Sequence, residues 1–326
     1  MIKMIFRPLN NRFGKELSVL GLGTWAMGGP HWSGGWGPQS DADSIATIRK
    51  AGELGINWID TAPIYGLGHA EKLVGEALRE VRKNWFIASK CGLSWNKKGK
   101  IRKDLTSFRI RQEIEESLGR LGTDYIDLYQ IHWPDEKYPV EKSWKAILKL
   151  KKEGKIRFAG VCNFDVALLK RCLQVGPVDS LQVPYNLFRR EIENEILPFC
   201  KENNIAVLAY SPLHSGLLSG KFSPERLADR DWRKRHPDFS GKGLEEKRAV
   251  LEELAEMAQR QSLTMPQLAL SWVLNRPGVT AAITGARTPG QLESLASAVN
   301  FTWQKDNLER INKLTEFWRQ PRPAGH

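Results

Sequence analysis

The sequence predicts a (β/α)8 barrel of the TIM type, and three observations predict it. Eight strand-like runs alternate with helical segments between about residues 17 and 299, with no linker-like change of composition among them. The run Ile205–Tyr210 is continuously apolar, as a parallel strand buried on both faces requires. Asp60, Lys90 and His132 stand at or just past the ends of three consecutive runs, and Tyr65 follows Asp60 by five residues. A barrel gathers its chemistry at those strand ends.

The 326 residues, 41% of them hydrophobic, suffice for one large α/β core. They are read as a single domain over 1–326, with a hairpin at about 5–16, the barrel at about 17–299 and a terminal helix at about 305–318. Asn10, Asn11 and Gly14 mark the hairpin turn, a plug or lid ahead of the barrel. Residues 17–23 read as a buried strand and 26–39 as a loop rich in Gly, Trp and Pro. A helix over 41–54 stops at Gly55, a C-terminal cap signal. The next strand ends at Asp60. Helix 70–81 leads to strand 86–89 and Lys90, and a loop over 91–105 carries Lys97, Lys98, Lys100, Arg102 and Lys103. Helix 106–121 starts near Thr106 or Ser107 and gives way to strand 125–131, which ends on His132. Helix 140–152, strand 156–162, helix 166–173, strand 181–184, helix 191–203 and strand 205–210 continue the alternation. A polar loop over 211–242 precedes helices at 244–260 and 265–274. Strand 279–284 and helices 289–299 and 305–318 complete the order, and the tail 321–326 reads as disordered.

A doubly wound sheet is the competing architecture. Gly21-Leu22-Gly23-Thr24-Trp25-Ala26 fits the GxGxxA dinucleotide fingerprint. That fingerprint opens a helix directly, whereas more glycine, Pro30, Pro38 and a long loop follow here. A tight strand-end turn where backbone approaches a ligand is the favoured reading.

The formal net charge of +12 attracts anions: a nucleic acid, an acidic surface, a phosphorylated substrate or a dinucleotide. Lys and Arg are spread over many helices, with no recognition motif and no aromatics interleaved on a strand, so no nucleic-acid partner is expected. No apolar run is long enough to span a membrane. The first eight residues are interrupted too early for the apolar region of a secretory signal. Cys91, Cys162, Cys172 and Cys200 form no CxxC pair and read as reduced packing thiols. The expectation is a cytoplasmic protein, monomeric or weakly homo-oligomeric, with no membrane partner and no metal.

At a barrel mouth Asp60, Lys90 and His132 face one another, and Tyr65 reaches back from its loop. A free tyrosine has a pKa of about 10; a Lys90 ammonium would stabilise its phenolate, Asp60 would balance Lys90, and His132 would hydrogen-bond a substrate oxygen. Each has a plainer reading: a structural Asp–Lys pair, a packing histidine, a tyrosine covering the barrel end. Taken together they read as a tyrosine general acid that protonates an oxygen gaining negative charge. These side chains supply no hydride, so a nicotinamide cofactor is inferred. Asn163 and Gln182 carry amides for its carboxamide, and Tyr210 can stack on a ring. Ser211-Pro212-Leu213-His214-Ser215-Gly216-Leu217-Leu218-Ser219-Gly220-Lys221 is small enough to wrap a diphosphate. Thr284-Gly285-Ala286-Arg287-Thr288 precedes a helix where barrels commonly hold a phosphate. Arg287 is the charged partner there and Thr288 a candidate helix cap.

Over residues 5–319 the chain resembles the aldo-keto reductases. The resemblance is carried by Gly21-Leu22-Gly23-Thr24-Trp25, Asp60-Thr61-Ala62-Pro63-Ile64-Tyr65-Gly66, Ser89-Lys90, Ile131-His132-Trp133-Pro134, Gly160-Val161-Cys162-Asn163-Phe164, Gln182-Val183-Pro184-Tyr185-Asn186, Ala209-Tyr210-Ser211-Pro212-Leu213 and Gly285-Ala286-Arg287, in that order. It implies reversible reduction of aldehydes or ketones, with NADPH as the usual cofactor and NAD possible. Tyr65 would be the acid/base, tuned by Lys90 and Asp60, with His132 orienting the carbonyl. Cofactor contacts would come from Gly23, Thr24, Trp25, Asp60, Cys162, Asn163, Gln182, Tyr210, Ser211, Pro212, Leu213, Gly216, Leu217, Gly220, Lys221, Gly285, Arg287 and Gln291. Pro289-Gly290 and the loop 211–242 look more like the bacterial general-stress and sugar-related branch.

Two departures stand out. Cys162 occupies a usual serine position and is the weaker donor, and Ser294-Leu295 replace the usual Glu-Asn near the adenine. Trp25, His31, Trp32, Trp36, Trp95 and Trp133 are expected to line the mouth for a small carbonyl compound or sugar. The lysines at 97–103 either meet an anionic substrate or are simply solvated. The rival function classes are a slow or non-catalytic NADPH-binding regulatory subunit, a nucleic-acid-binding protein, and a dehydrogenase working mainly in the oxidative direction.

Overall fold

A computed structural model describes residues 2–9, 16–30, 32–227 and 231–320. Within it eight short strands pair in parallel and close into a barrel. They are β1 (Leu20–Gly23), β2 (Trp58–Asp60), β3 (Phe86–Cys91), β4 (Ile126–Ile131), β5 (Ile156–Cys162), β6 (Ser180–Pro184), β7 (Ala206–Tyr210) and β8 (Ala281–Gly285). Closure sets Ile283 opposite Gly21 and Gly285 opposite Gly23. Around the barrel run α1 (Asp41–Glu53), α2 (His69–Leu78), α3 (Ser107–Leu121), α4 (Val140–Lys152), α5 (Val166–Val175), α6 (Ile196–Glu202), α7 (Gly241–Arg260), α8 (Met265–Leu274) and α9 (Pro289–Ala296), with α10 (Lys305–Leu314) beyond them.

Alternation along the strands separates two apolar layers. Trp58, Phe86, Leu128, Phe158, Leu208 and Ile283 fill the barrel interior. Residues of the other parity, such as Ile59, Ile87, Tyr129 and Val161, meet the helices. The helices bury stripes of matching period: Ile110, Ile114 and Leu121 on α3, and Trp144, Ile147 and Leu150 on α4. Side-chain caps fix their starts, with Ser40 accepting from Asp43 N, Thr106 from Arg109 N and Thr288 from Gln291 N. At the end of α3, Gly122 adopts the left-handed conformation that the sequence leads one to expect of a helix stop.

The strand expected over 17–23 is two strands. Phe6–Pro8 pairs antiparallel with Glu16–Ser18, and the barrel strand starts only at Leu20. The break is enforced by polar contacts. Ser18 N and Oγ bond Asn57 Oδ1, and Ser18 O accepts from Trp58 Nε1 at 2.9 Å. Leu9 and Leu17 join the interior cluster, so the hairpin plugs the barrel end opposite the mouth. Its expected turn residues, Asn10, Asn11 and Gly14, lie outside the described residues, as does the tail 321–326.

Other boundaries differ for local reasons. The basic loop over 91–105 contains a hairpin of Leu93–Trp95 with Ile101–Lys103, whose arms are too short to show an alternation. The helix expected over 191–203 is a 3-10 turn, Glu191–Glu193, followed by α6. The loop over 211–242 is built largely of 3-10 turns, at His214–Ser219, Pro224–Arg226, Trp232–Arg235 and Pro237–Phe239.

Candidate active site

Register brings the expected proton-handling groups together at one barrel end. Asp60 ends β2 opposite Gly23 and Ala88, while Lys90 lies opposite Gln130. The fully buried Lys90 Nζ donates to Asp60 Oδ2 at 2.7 Å, to the Thr61 carbonyl at 2.9 Å and to Tyr65 Oη at 3.2 Å. All three ammonium hydrogens are thus placed. The Tyr65 oxygen accepts from Lys90, which leaves its own O–H to be donated elsewhere. Tyr65 reaches this position because its loop folds against the turn after β1. A Cβ on Gly66, which has φ +63°, would stand 2.3 Å from the Gly28 carbonyl oxygen, and one on Gly28 would stand 2.5 Å from Gly66 N. Only two glycines allow that approach.

His132 leaves the end of β4, its backbone N–H bonded to the Cys91 carbonyl at 2.9 Å. Its ring packs edge-on against Tyr65 with centroids 5.9 Å apart, and its nitrogens make no hydrogen bond among the described residues. Burial and then the Lys90 charge hold the His132 pKa well below the usual imidazole value. A neutral imidazole therefore faces the mouth beside a tyrosine hydroxyl. Burial also opposes charge on Lys90, but Asp60 and Tyr65 outweigh it and raise its pKa, keeping the ammonium. For Tyr65 the balance differs from the sequence expectation. Lys90 does pull the phenol pKa down, but burial is the larger effect, and the net shift is upward. Tyr65 is a protonated acid at neutral pH.

The amides expected to meet a carboxamide are already partly engaged, Gln182 through its nitrogen and Asn163 through both nitrogen and oxygen. Gln182 Nε2 donates to Asp60 Oδ1 at 2.8 Å, so Gln182 helps to orient the Asp60–Lys90 pair. Asn163, at φ +62°, donates to the His132 carbonyl at 3.0 Å and accepts from Tyr210 Oη at 2.9 Å. Each amide keeps unused capacity, since it carries two N–H groups and two lone pairs. Cys162 is fully buried, and burial pushes its thiol pKa up, so it is no thiolate. Thr24 is buried with its hydroxyl on the Asp60 carbonyl at 3.1 Å.

The two expected phosphate segments are placed after β7 and β8. Ser211, His214 and Ser215 all adopt positive φ, as do Gly216 and Gly220. Non-glycine residues in that region are held against a cost of about 1–3 kcal/mol each, and such residues cluster at binding sites. Pro212 and Leu217 are buried, Leu213 and Gly216 are half-buried, and Lys221 is exposed. Leu217 belongs to the core, so only its backbone is left for a ligand. Gly285 is exposed, and a Cβ there would meet nothing nearer than 4.0 Å. Gln291 Oε1 accepts from Arg287 N at 2.9 Å. Bare backbone, an available arginine and the capped start of α9 fit a dinucleotide's phosphates.

Of the expected mouth aromatics, Trp25 and Trp32 pack on the Tyr65 ring with centroids 5.2 and 6.0 Å away. Trp95 joins the same apolar group, and Trp133 is exposed. Trp36 instead lies under the Arg233 guanidinium, 5.0 Å from its ring centroid. His31 lies outside the described residues. Sequence reasoning missed the groups that hold the loop after β7. Arg233 donates to the Ser215 carbonyl at 2.8 Å, and Asn186 Nδ2 donates to the Ser211 carbonyl at 3.0 Å. His214 Nε2 lies 3.2 Å from Asp238 Oδ2, and Lys247 Nζ lies 2.8 Å from Asp238 Oδ1. No local pattern signals these contacts, since their partners lie nine to twenty-five residues apart with no regular spacing. Gln39, which meets Arg287, was missed for the same reason. Among the described residues no cluster of three or more His, Cys, Asp or Glu side chains is able to hold a metal ion, and no helix is long and apolar enough to cross a membrane.

The profile of the Aldo/keto reductase family matches residues 19–316. The chain is 40% identical over 307 residues to Aldo-keto reductase YhdN of Bacillus subtilis (strain 168), covering 93% of this chain and 91% of that one. It is 35% identical over 319 residues to the NADH-specific methylglyoxal reductase of Escherichia coli (strain K12), covering 92% and 95%. Among solved structures, the glycerol dehydrogenase AKR11B4 from Gluconobacter oxydans superposes with a TM-score of 0.87 at 36% identity, over 98% of both chains. A closed parallel barrel, the Asp60–Lys90–Tyr65 cluster at its mouth and these likenesses lead to one conclusion: the chain belongs to the aldo/keto reductase family and is an NAD(P)H-dependent oxidoreductase.

Proposed function

We propose that the protein reversibly reduces aldehydes or ketones to alcohols, with Tyr65 as the proton donor. The observation that carries this reading is the hydrogen bond from Lys90 Nζ to Tyr65 Oη inside a buried, Asp60-balanced site. A reduced nicotinamide supplies the hydride when bound. Tyr65 turns its free O–H toward the mouth, where a carbonyl oxygen gains negative charge as it is reduced. Neutral His132 offers a second hydrogen bond to that oxygen and fixes its direction. Lys90 keeps its charge beside the phenol and stabilises the tyrosinate left after proton transfer, while Asp60 and Gln182 hold Lys90 in line. Trp25 and Trp32 exclude water from one side of the Tyr65 ring.

NADPH is the proposed cofactor, on the strength of Arg287 as partner for a 2′-phosphate; Asn163 and Gln182 retain capacity for a carboxamide, and Tyr210 for ring stacking. NADH is the alternative, since one relative of 35% identity is named NADH-specific. The substrate class is a small carbonyl compound or sugar. The same four residues serve alcohol oxidation, and the likeness to a glycerol dehydrogenase keeps that direction in view. The test is consumption of NADPH, followed by absorbance, against a panel of aldehydes, ketones and sugars, with the corresponding alcohols and NADP in reverse. Turnover that Tyr65→Phe abolishes supports the reading. Tight cofactor binding without turnover on any of them would favour a regulatory subunit.

A further inference from the structure

Arg287 does not stand alone at the start of α9. The loop between β1 and α1 meets it at three points. Gln39 Oε1 accepts from Arg287 Nε at 2.8 Å, and Gln39 Nε2 donates to the Arg287 carbonyl at 2.9 Å. The Pro38 carbonyl accepts from Arg287 Nη2. Gln39 is itself anchored, because its Nε2 lies 3.2 Å from Ser44 Oγ in the first turn of α1. The preceding residues of that loop carry Trp25 and Trp32 against Tyr65.

A guanidinium has five N–H donors in a fixed plane. These contacts engage Nε and one N–H of Nη2. Both N–H groups of Nη1 make no hydrogen bond among the described residues, and the second N–H of Nη2 is likewise open. The arginine is therefore fixed along one edge and open along the other. Gln39 achieves this without charge, so the full positive charge stays available to a ligand. Fixing a long side chain before binding removes an ordering cost that the ligand would otherwise bear.

We infer that Gln39 is a positioning residue that sets cofactor specificity: it holds the Arg287 guanidinium so that its open edge takes a phosphate monoester dianion. The inference rests on the reading above that Arg287 meets the 2′-phosphate. NADPH carries that group. NADH carries a hydroxyl in its place and gains little from an oriented cation. The predicted consequence is selective: loss of Gln39 weakens NADPH and spares NADH.

The experiment is fluorescence titration of wild type, Gln39→Ala, Gln39→Glu and Arg287→Ala with NADPH and with NADH, plus kcat at saturating NADPH. Gln39→Ala should raise the NADPH Kd about tenfold and leave that for NADH within about twofold, with kcat unchanged. Gln39→Glu should raise the NADPH Kd further, since its carboxylate neutralises the arginine that the phosphate needs. If Arg287→Ala is selective against NADPH but both Gln39 variants keep the wild-type ratio of the two constants, Gln39 is not a specificity residue. If Arg287→Ala weakens both cofactors equally, the 2′-phosphate reading has failed and this inference falls with it.

Discussion

At the ends of β2, β3 and β4 the reacting groups leave the barrel directly from strands or one short turn beyond, and they are held by one another. After β7 and β8 the expected cofactor residues sit in loops, and those loops are held by distant segments: Asn186, Arg233 and Asp238 on one side, Pro38 and Gln39 on the other. In the first half of the mouth the sheet register places Asp60 and Lys90, His132 follows directly on β4, and the close approach of Gly28 and Gly66 places Tyr65. The second is fixed by side-chain contacts between loops, at the cost of positive φ at Ser211, His214 and Ser215. Chemistry needing alignment to a fraction of an ångström is placed on strands, and binding that must admit and release a large ligand is placed on loops.

The sharpest way to break this contrast is Tyr65→Phe. It removes one hydroxyl from the strand-built half and leaves the ring packed on Trp25 and Trp32. The expected outcome is a loss of about 10²–10⁴-fold in kcat, the usual contribution of a general acid, with cofactor Kd unchanged. Steady-state rates and a fluorescence titration on the same preparation check it. A variant that turned over near the wild-type rate would remove Tyr65 from the role of acid.

Lys90→Met comes next. It leaves Asp60 buried without its cation, and breaking a buried pair this way costs about 3–5 kcal/mol of stability. It also removes the hydrogen bond to Tyr65, so turnover should fall too. Combining it with Asp60→Asn should restore much of the stability and none of the turnover. Chemical denaturation of the single and double variants, read beside kcat, separates the two roles. Recovery of both would mean that the pair is structural alone.

These residues were legible because their partners lie at regular places in the alternation. Asp60, Lys90 and His132 each stand at the end of a strand-like run, and the alternation of such runs with helices is what sequence reports best. Tyr65 was legible through Pro63 and Gly66 around it. What stayed hidden depended on contacts between remote segments. The split at Ser18 is invisible because Leu17, Val19, Leu20 and Leu22 continue one apolar run, while the cause of the break is Asn57, thirty-nine residues on. The upward shift of Tyr65 was missed because charge can be counted along a chain and burial cannot. Gln182 looked like a free amide until β6 brought it within reach of Asp60 across the barrel.

On the loop-built half, Lys247→Met should act on binding rather than chemistry. Lys247 reaches from α7 to Asp238, which lies against His214 in the loop after β7. Losing a hydrogen bond to a charged group costs about 1.5–3 kcal/mol, and the loop bears that loss. Faster amide exchange over 211–221 and a several-fold higher cofactor Kd are expected, with kcat at saturation unchanged. An equal fall in kcat would show that this loop also aligns the reacting groups, and the contrast between the halves would weaken.

The smallest expected effect on turnover is that of pH. Tyr65 titrates above its ordinary value and His132 well below its own, so neither changes charge between pH 7 and 9, and kcat should be flat there. Stability should behave otherwise on the acid side. His132 is held neutral, and so is His214, pushed down to about 4 by burial despite the opposing pull of Asp238. An unfolded histidine takes up its proton near pH 6.5. The stability tied to keeping these imidazoles neutral is therefore complete above about pH 6.5 and is lost as pH falls toward the folded values. Asp238, with its pKa depressed, loses its contribution only below the ordinary carboxylate value. His214→Asn should flatten the fall in melting temperature between pH 6.5 and 4 while leaving kcat at pH 7–9 in place. If it flattened nothing, the acid sensitivity would lie with His132 alone, and the loop-built half of the mouth would not be the part that acid loosens first.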